Sequence, residues 1–148
     1  MQRLGWLILS ILSLLFGNTA LKAQTRITNE ESEKHQVIPG AQISMIPAPG
    51  FSIAESFTGL QNLTSQSTIM VMQVNTPYTQ YSREAIPLII DNARSKMVER
   101  ASYTINGMPA KLFVGTQKGD VDSIVFHRIF LVLGNQQETV ALNCHYPQ

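Results

Sequence analysis

Residues 103–115 read YTINGMPAKLFVG, with Asn106-Gly107 between two runs that alternate apolar and polar. Both turn residues tolerate positive φ, which makes the pair a strong hairpin signal. A two-residue loop here sets Ile105 opposite Met108, Tyr103 opposite Ala110 and Ala101 opposite Leu112. Gly119-Asp120 reads as a second tight turn, placing Lys118 opposite Val121, Val114 opposite Val125 and Phe113 opposite Phe126. Gly134-Asn135-Gln136-Gln137 reads as a third, with Leu131 opposite Val140, Ile129 opposite Leu142 and His127 opposite Cys144. All three turns send one set to the same side: Ala101, Tyr103, Ile105, Met108, Ala110, Leu112, Val114, Val125, Ile129, Leu131, Val140, Leu142 and Tyr146. A slip of one residue at any turn would throw one strand's apolar set outward. The Asn-Gly turn is therefore read first as a register device for a four-stranded antiparallel meander.

Upstream, residues 42–46 and 51–57 read as short strands around the turn Pro47-Ala48-Pro49-Gly50. STIMVMQV, residues 67–74, is apolar at both parities, the pattern of a strand inside a sheet covered on both sides. Residues 75–81 read as a loop. Ser82 can cap a helix over about 82–98, with Ile86, Ile90, Ala93 and Met97 as its apolar stripe and Pro87 tolerated only in the first turn. The fold class is α+β: an antiparallel sheet ending in the meander, with this helix packed on the strongly apolar face.

The chain begins MQRLGWLILSILSLLFGNTALKAQ. Arg3, the apolar run from Leu7 to Phe16 and the small-residue site at Ala20 to Ala23 read as a secretory signal peptide, residues 1–23. The run is shorter than the ~20 residues that span a bilayer, so no stable membrane span is expected after cleavage. Removing Arg3 and Lys22 lowers the Lys and Arg count from 11 to 9 against 10 Asp and Glu, a mature charge near −1. That balance offers no basic footprint, and no nucleic acid is expected as partner. Residues 24–36 are polar and acidic and read as a flexible leader; residues 37–148 form one domain. A single cysteine, Cys144, leaves an exported chain without an internal disulfide, so packing must hold it.

ISMIPAPGF, a central apolar strand followed by a helix, INGMPAKLFVG and HRIFLVLGNQQETVALNCHYP together resemble the Mog1/PsbP-like fold family over about 42–147. The resemblance implies an antiparallel sheet with helices on both faces and a role in binding or assembly. Similar proteins continue past the Tyr-Pro pair into a helix that packs on the sheet. This chain stops at Gln148, so the expectation is a small bacterial member lacking that helix.

The face opposite the apolar set is mixed and carries Lys111, Phe113, Phe126, Arg128, Phe130 and Val132. Phe113, Phe126, Arg128 and Phe130 are the candidate partner-binding residues, because aromatic anchors beside an arginine are a common interface mixture. The expected function is that of a non-enzymatic accessory of the periplasm or cell exterior, taking an unknown protein partner or a small apolar ligand. The alternative is a small-ligand carrier with a pocket between helix and sheet. A thiol enzyme using Cys144 beside His127 is the remaining reading, with no third orienting residue in view. Met45, Met70, Met72, Met97 and Met108 suit core filling rather than soft-metal binding, and Asp120 with Asp122 makes a poor calcium site. No catalytic residue, metal or cofactor is expected. Asn62-Leu63-Thr64 matches a glycosylation sequon, relevant only in a eukaryotic secretory host.

Overall fold

The computed structural model describes residues 25–28, 30–121 and 124–147. The signal-peptide expectation at 1–23, and Asp122, lie outside them. In chain order the elements are β1 (Thr25–Ile27), β2 (Gln36–Val37), β3 (Ser44–Met45), β4 (Ser52–Ile53), β5 (Gly59–Asn62), β6 (Ser67–Val74), α1 (Tyr78–Glu84), α2 (Ile86–Ile90), β7 (Ser95–Ile105), β8 (Met108–Lys118), β9 (Val125–Gly134) and β10 (Thr139–Pro147). Eight strands form one sheet in the order β1-β7-β8-β9-β10-β6-β5-β4, and β2 and β3 form a separate pair. Among the described residues only the β1–β7 pairing is parallel. The architecture is thus α+β, a largely antiparallel sheet with two short helices.

The hairpin at Asn106-Gly107 forms as its chemistry requires. The two residues have φ of 48° and 81°, and Ile105 faces Met108, Tyr103 faces Ala110 and Ala101 faces Leu112. A Cβ on Gly107 would meet nothing within 4 Å, so its conformation alone demands glycine. Gly107→Val is expected to cost about 1–3 kcal/mol through backbone strain. An unchanged denaturant midpoint in that variant would remove the turn's claim to set register.

The next two turns are longer than expected. Lys118 pairs with Val125, so the β8–β9 loop spans 119–124 and Phe113 faces Phe130 instead of Phe126. Gly134 pairs with Thr139, so the β9–β10 loop spans 135–138, and Asn135 Oδ1 accepts the backbone N–H groups of Gln137 and Glu138. Each displacement is an even number of residues. Strand parity survives it, and the expected apolar set stays on one side although its cross-strand partners change.

One irregularity lies in β7, where the register shifts between Glu99 and Ala101. This bulge turns odd-numbered side chains from one face to the other. Ser95 and Met97 therefore share a face with Phe113 and Phe130, whereas Ala101, Tyr103 and Ile105 lie on the opposite side.

The helix expected over 82–98 is corrected in both length and face. α1 starts earlier, at Tyr78, pinned by Tyr78 N–H to Asn135 O at 2.9 Å and by Thr139 Oγ1 donating to Thr76 O at 2.8 Å. Ser82 lies inside α1, and Pro77 takes the cap position. Pro87 has no N–H to reach the Arg83 carbonyl, so the helix breaks at Ala85 and restarts as α2. It ends at Asp91, after which Asn92 Nδ2 donates to Leu88 O and Asn92 Oδ1 accepts the N–H groups of Arg94 and Ser95. Ser95 to Val98 then alternate buried and exposed, a strand's period.

Helices and sheet meet on the mixed face, not on the strongly apolar one. Tyr78, Tyr81 and Ile86 pack on Met97, Phe113, Phe130, Val132 and Ala141. A second cluster on the other face joins Ile38, Leu60 and Val71, with Ile43 and Met45 of the β2–β3 segment, to Val140 and Leu142. β6 runs inside the sheet, between β10 and β5, but the helices reach only its Val74 end. Met70 and Met72 accordingly stay 38% and 42% exposed, where cover on both sides was expected. The stretch 24–36, read as a flexible leader, supplies the exposed edge strand β1 and the residue Gln36 of β2.

Candidate functional site

On the helix face the candidate partner-binding residues separate. Phe113 and Phe130 are 3% and 0% exposed, their rings tilted against each other at 6.2 Å beneath α1 and α2. Arg128 is 7% exposed. Its Nε donates to Asn143 Oδ1 at 2.7 Å, and its Nη1 to Ser95 Oγ at 2.9 Å and to Ile89 O at 3.2 Å. The guanidinium carbon lies 5.6 Å from the Phe130 ring centroid. Burial holds the Arg128 pKa below its ordinary value. These three residues are internal: they fasten the end of α2 to the sheet and present no surface to a partner. Phe126 alone stays half-exposed, edge-on to His145 at 6.4 Å, beyond the reach of the helices.

His145 shares this end of the face, with its Nε2 3.1 Å from Gln117 Oε1. Its pKa is lowered, first because burial disfavours the imidazolium and second because Arg128 is positive. The unfolded chain takes up this proton near the ordinary value of 6.5, before the folded one does. The unfolded state therefore binds more protons as pH falls below that value, and stability drops until the folded-state pKa is passed. The expected result is a lower denaturant midpoint at about pH 5 than at about pH 7.5, with the drop reduced in His145→Gln. An identical pH dependence in that variant would clear His145 of the effect.

The thiol reading meets the longer β9–β10 loop. His127 pairs with Tyr146 and stacks on it, ring centroids 4.9 Å apart, while Cys144 pairs with Ile129 on one side and Ile69 on the other. The direct cross-strand pairing of His127 with Cys144 does not occur. Burial pushes the Cys144 thiol up, which keeps it protonated and poorly nucleophilic.

The other face carries a feature that no sequence motif marks. The β2–β3 segment lies over β9 and β10 and leaves an apolar cleft of about 370 Å³. Its walls are Ile43 and Met45 on one side and Leu131, Leu133, Val140 and Leu142 on the other. These sheet residues are half-buried, which distinguishes a cleft wall from the sealed core under the helices. A polar cavity of about 440 Å³, lined in part by Gly40, Ala41 and Asn75, adjoins it, and the two share Gln42, Gln73 and Glu138.

A chain of hydrogen bonds organises the junction. Gln42 N–H donates to Gln73 Oε1 at 2.8 Å, and Gln73 Nε2 donates to Glu138 Oε2 at 2.6 Å. The partners are 31 and 65 residues apart in sequence, so only the sheet topology assembles them. The signal in the sequence is Gln73, a polar residue that interrupts the apolar run from Ile69 to Val74.

Comparison with protein-family models, with curated proteins and with solved structures gives no match for this chain. Among the described residues no helix is long and apolar enough to cross a membrane. Among them, too, no group of three or more His, Cys, Asp or Glu stands close enough to hold a metal ion.

Proposed function

We propose that this chain is an exported, non-enzymatic binding protein of the cell envelope or exterior, and that it carries a small apolar ligand in the cleft between the β2–β3 segment and the sheet. The observation that carries this reading is the concentration of half-buried aliphatic side chains around one concavity, with Gln42, Gln73 and Glu138 grouped where it adjoins the polar cavity. Small-molecule sites have that composition and volumes of about 300–1,000 Å³. The carrier reading gains over the accessory reading because Phe113, Phe130 and Arg128 of the mixed face lie under the helices, which leaves Phe126 alone at the surface. The pocket lies on the opposite side of the sheet from the one that a helix-and-sheet pocket requires. Membership of the Mog1/PsbP-like family is part of the proposal. It rests on the ISMIPAPGF and INGMPAKLFVG segments, the Tyr146-Pro147 end of β10 and the largely antiparallel sheet, whereas helices cover one face and not both.

The test is titration with N-phenyl-1-naphthylamine, an uncharged dye that fluoresces in apolar surroundings. Saturable binding is expected, abolished by Leu131→Trp, which fills the cleft, and unaffected by Phe126→Ala on the far face. An absence of binding, or binding indifferent to Leu131→Trp, would remove the cleft as the site.

A further inference from the structure

The two cavities that meet at Gln42, Gln73 and Glu138 differ in character, one walled by aliphatic side chains and the other by polar ones. A molecule occupying both needs an apolar body and a polar head. The charge of the site then decides which head. Among the described residues neither cavity is lined by Lys, Arg or His, and Glu138 is the one charged residue of the joint lining. No cation pairs with it among the described residues.

The carboxylate is also held in place. Gln73 Oε1 must accept from the Gln42 backbone N–H, which turns its amide NH₂ toward Glu138 Oε2. That bond occupies one carboxylate oxygen and leaves Oε1 as a fixed acceptor at the junction. Such a group favours a cationic donor, tolerates a neutral hydroxyl and repels an anion.

We infer that the site selects amphipathic amines, the ammonium head bonded to Glu138 at the junction and the apolar tail laid along the cleft. This rests on the reading of the cleft as a ligand site. The experiment uses three probes with the same tail, octylamine, 1-octanol and octanoate, each measured by displacement of the bound naphthylamine dye at low and high salt. Octylamine is expected to bind at least roughly tenfold more tightly than octanol, and octanoate more weakly than either. The amine's advantage should shrink as salt rises. Glu138→Gln should abolish the amine's advantage over octanol, read as the ratio of the two affinities on the same variant protein. Equal affinities for octylamine and octanol on the wild-type protein, a preference for octanoate, or an advantage that survives Glu138→Gln overturns the inference while the dye keeps the cleft reading intact. If the dye itself does not bind, the cleft reading falls and the inference with it. The ranking on the wild-type protein is decisive even if the variant fails to fold.

Discussion

Phe130→Ala is expected to cost about 3–5 kcal/mol, whereas Phe126→Ala, four residues earlier on the same strand and face, should cost about 1 kcal/mol. Phe130 is 0% exposed, its ring tilted against that of Phe113, and packed with Tyr78, Tyr81 and Ile86. Its removal deletes the transfer free energy of a ring and leaves a cavity that the strands cannot close, because the ladder fixes them on both sides. Phe126 touches the edge of His145 at the uncovered end of the sheet, where water fills any space its ring vacates. Against a total stability of about 5–15 kcal/mol, the first loss is a large fraction and the second is small. Urea denaturation of both variants reads the difference. Equal losses would mean that the helices do not cover the sheet as described.

Arg128→Met should lower stability by about 2–3 kcal/mol, and Arg128→Lys by nearly as much. Two effects oppose each other. Burying a guanidinium costs several kcal/mol in lost hydration, and removing it returns that cost. The same removal strips Asn143 Oδ1, Ser95 Oγ and the Ile89 carbonyl of a charged donor, with each such bond worth about 1.5–3 kcal/mol. The three bonds outweigh the hydration because the abandoned acceptors stay enclosed. Lysine cannot replace the arginine, since a single ammonium does not reproduce a planar fork reaching two strands, β7 and β10, and a helix end together. A coupling energy between Arg128→Met and Asn143→Ala in a double-mutant cycle identifies the shared bond. A wild-type midpoint in Arg128→Lys would show that the contact is a charge effect without geometric demand.

The burial of Phe130 and Arg128 turns on where the helices end and which sheet face they reach. Ile86, Ile90, Ala93 and Met97 recur at helical spacing, but Asp91-Asn92 is turn chemistry and Ser95 to Met97 fit a strand equally well. The choice between the two periods was made by Asn92, whose side chain closes α2 and opens β7. Hydrophobicity alone places the helix on the more apolar sheet face. In the folded chain that face is covered in part by the β2–β3 segment, and connectivity places α1 and α2 on the other side.

What the sequence determined by itself is local or periodic. Asn106-Gly107 set its own hairpin because two positive φ values are a property of two residues. STIMVMQV formed β6 over its whole length, and alternation assigned the faces of the meander correctly even where loop lengths moved the pairing by an even step. What only the tertiary structure decided is everything that depends on distance along the chain. The bulge at Glu99 to Ala101 lets β7 serve both faces. Arg128 became a buried clamp when α2 delivered a carbonyl to it. Gln42, Gln73 and Glu138 met at the mouth of a cleft only after strands remote in sequence had become neighbours. A turn is written in the dihedral preferences of adjacent residues, but a site built from long-range pairs depends on which face each covering segment reaches.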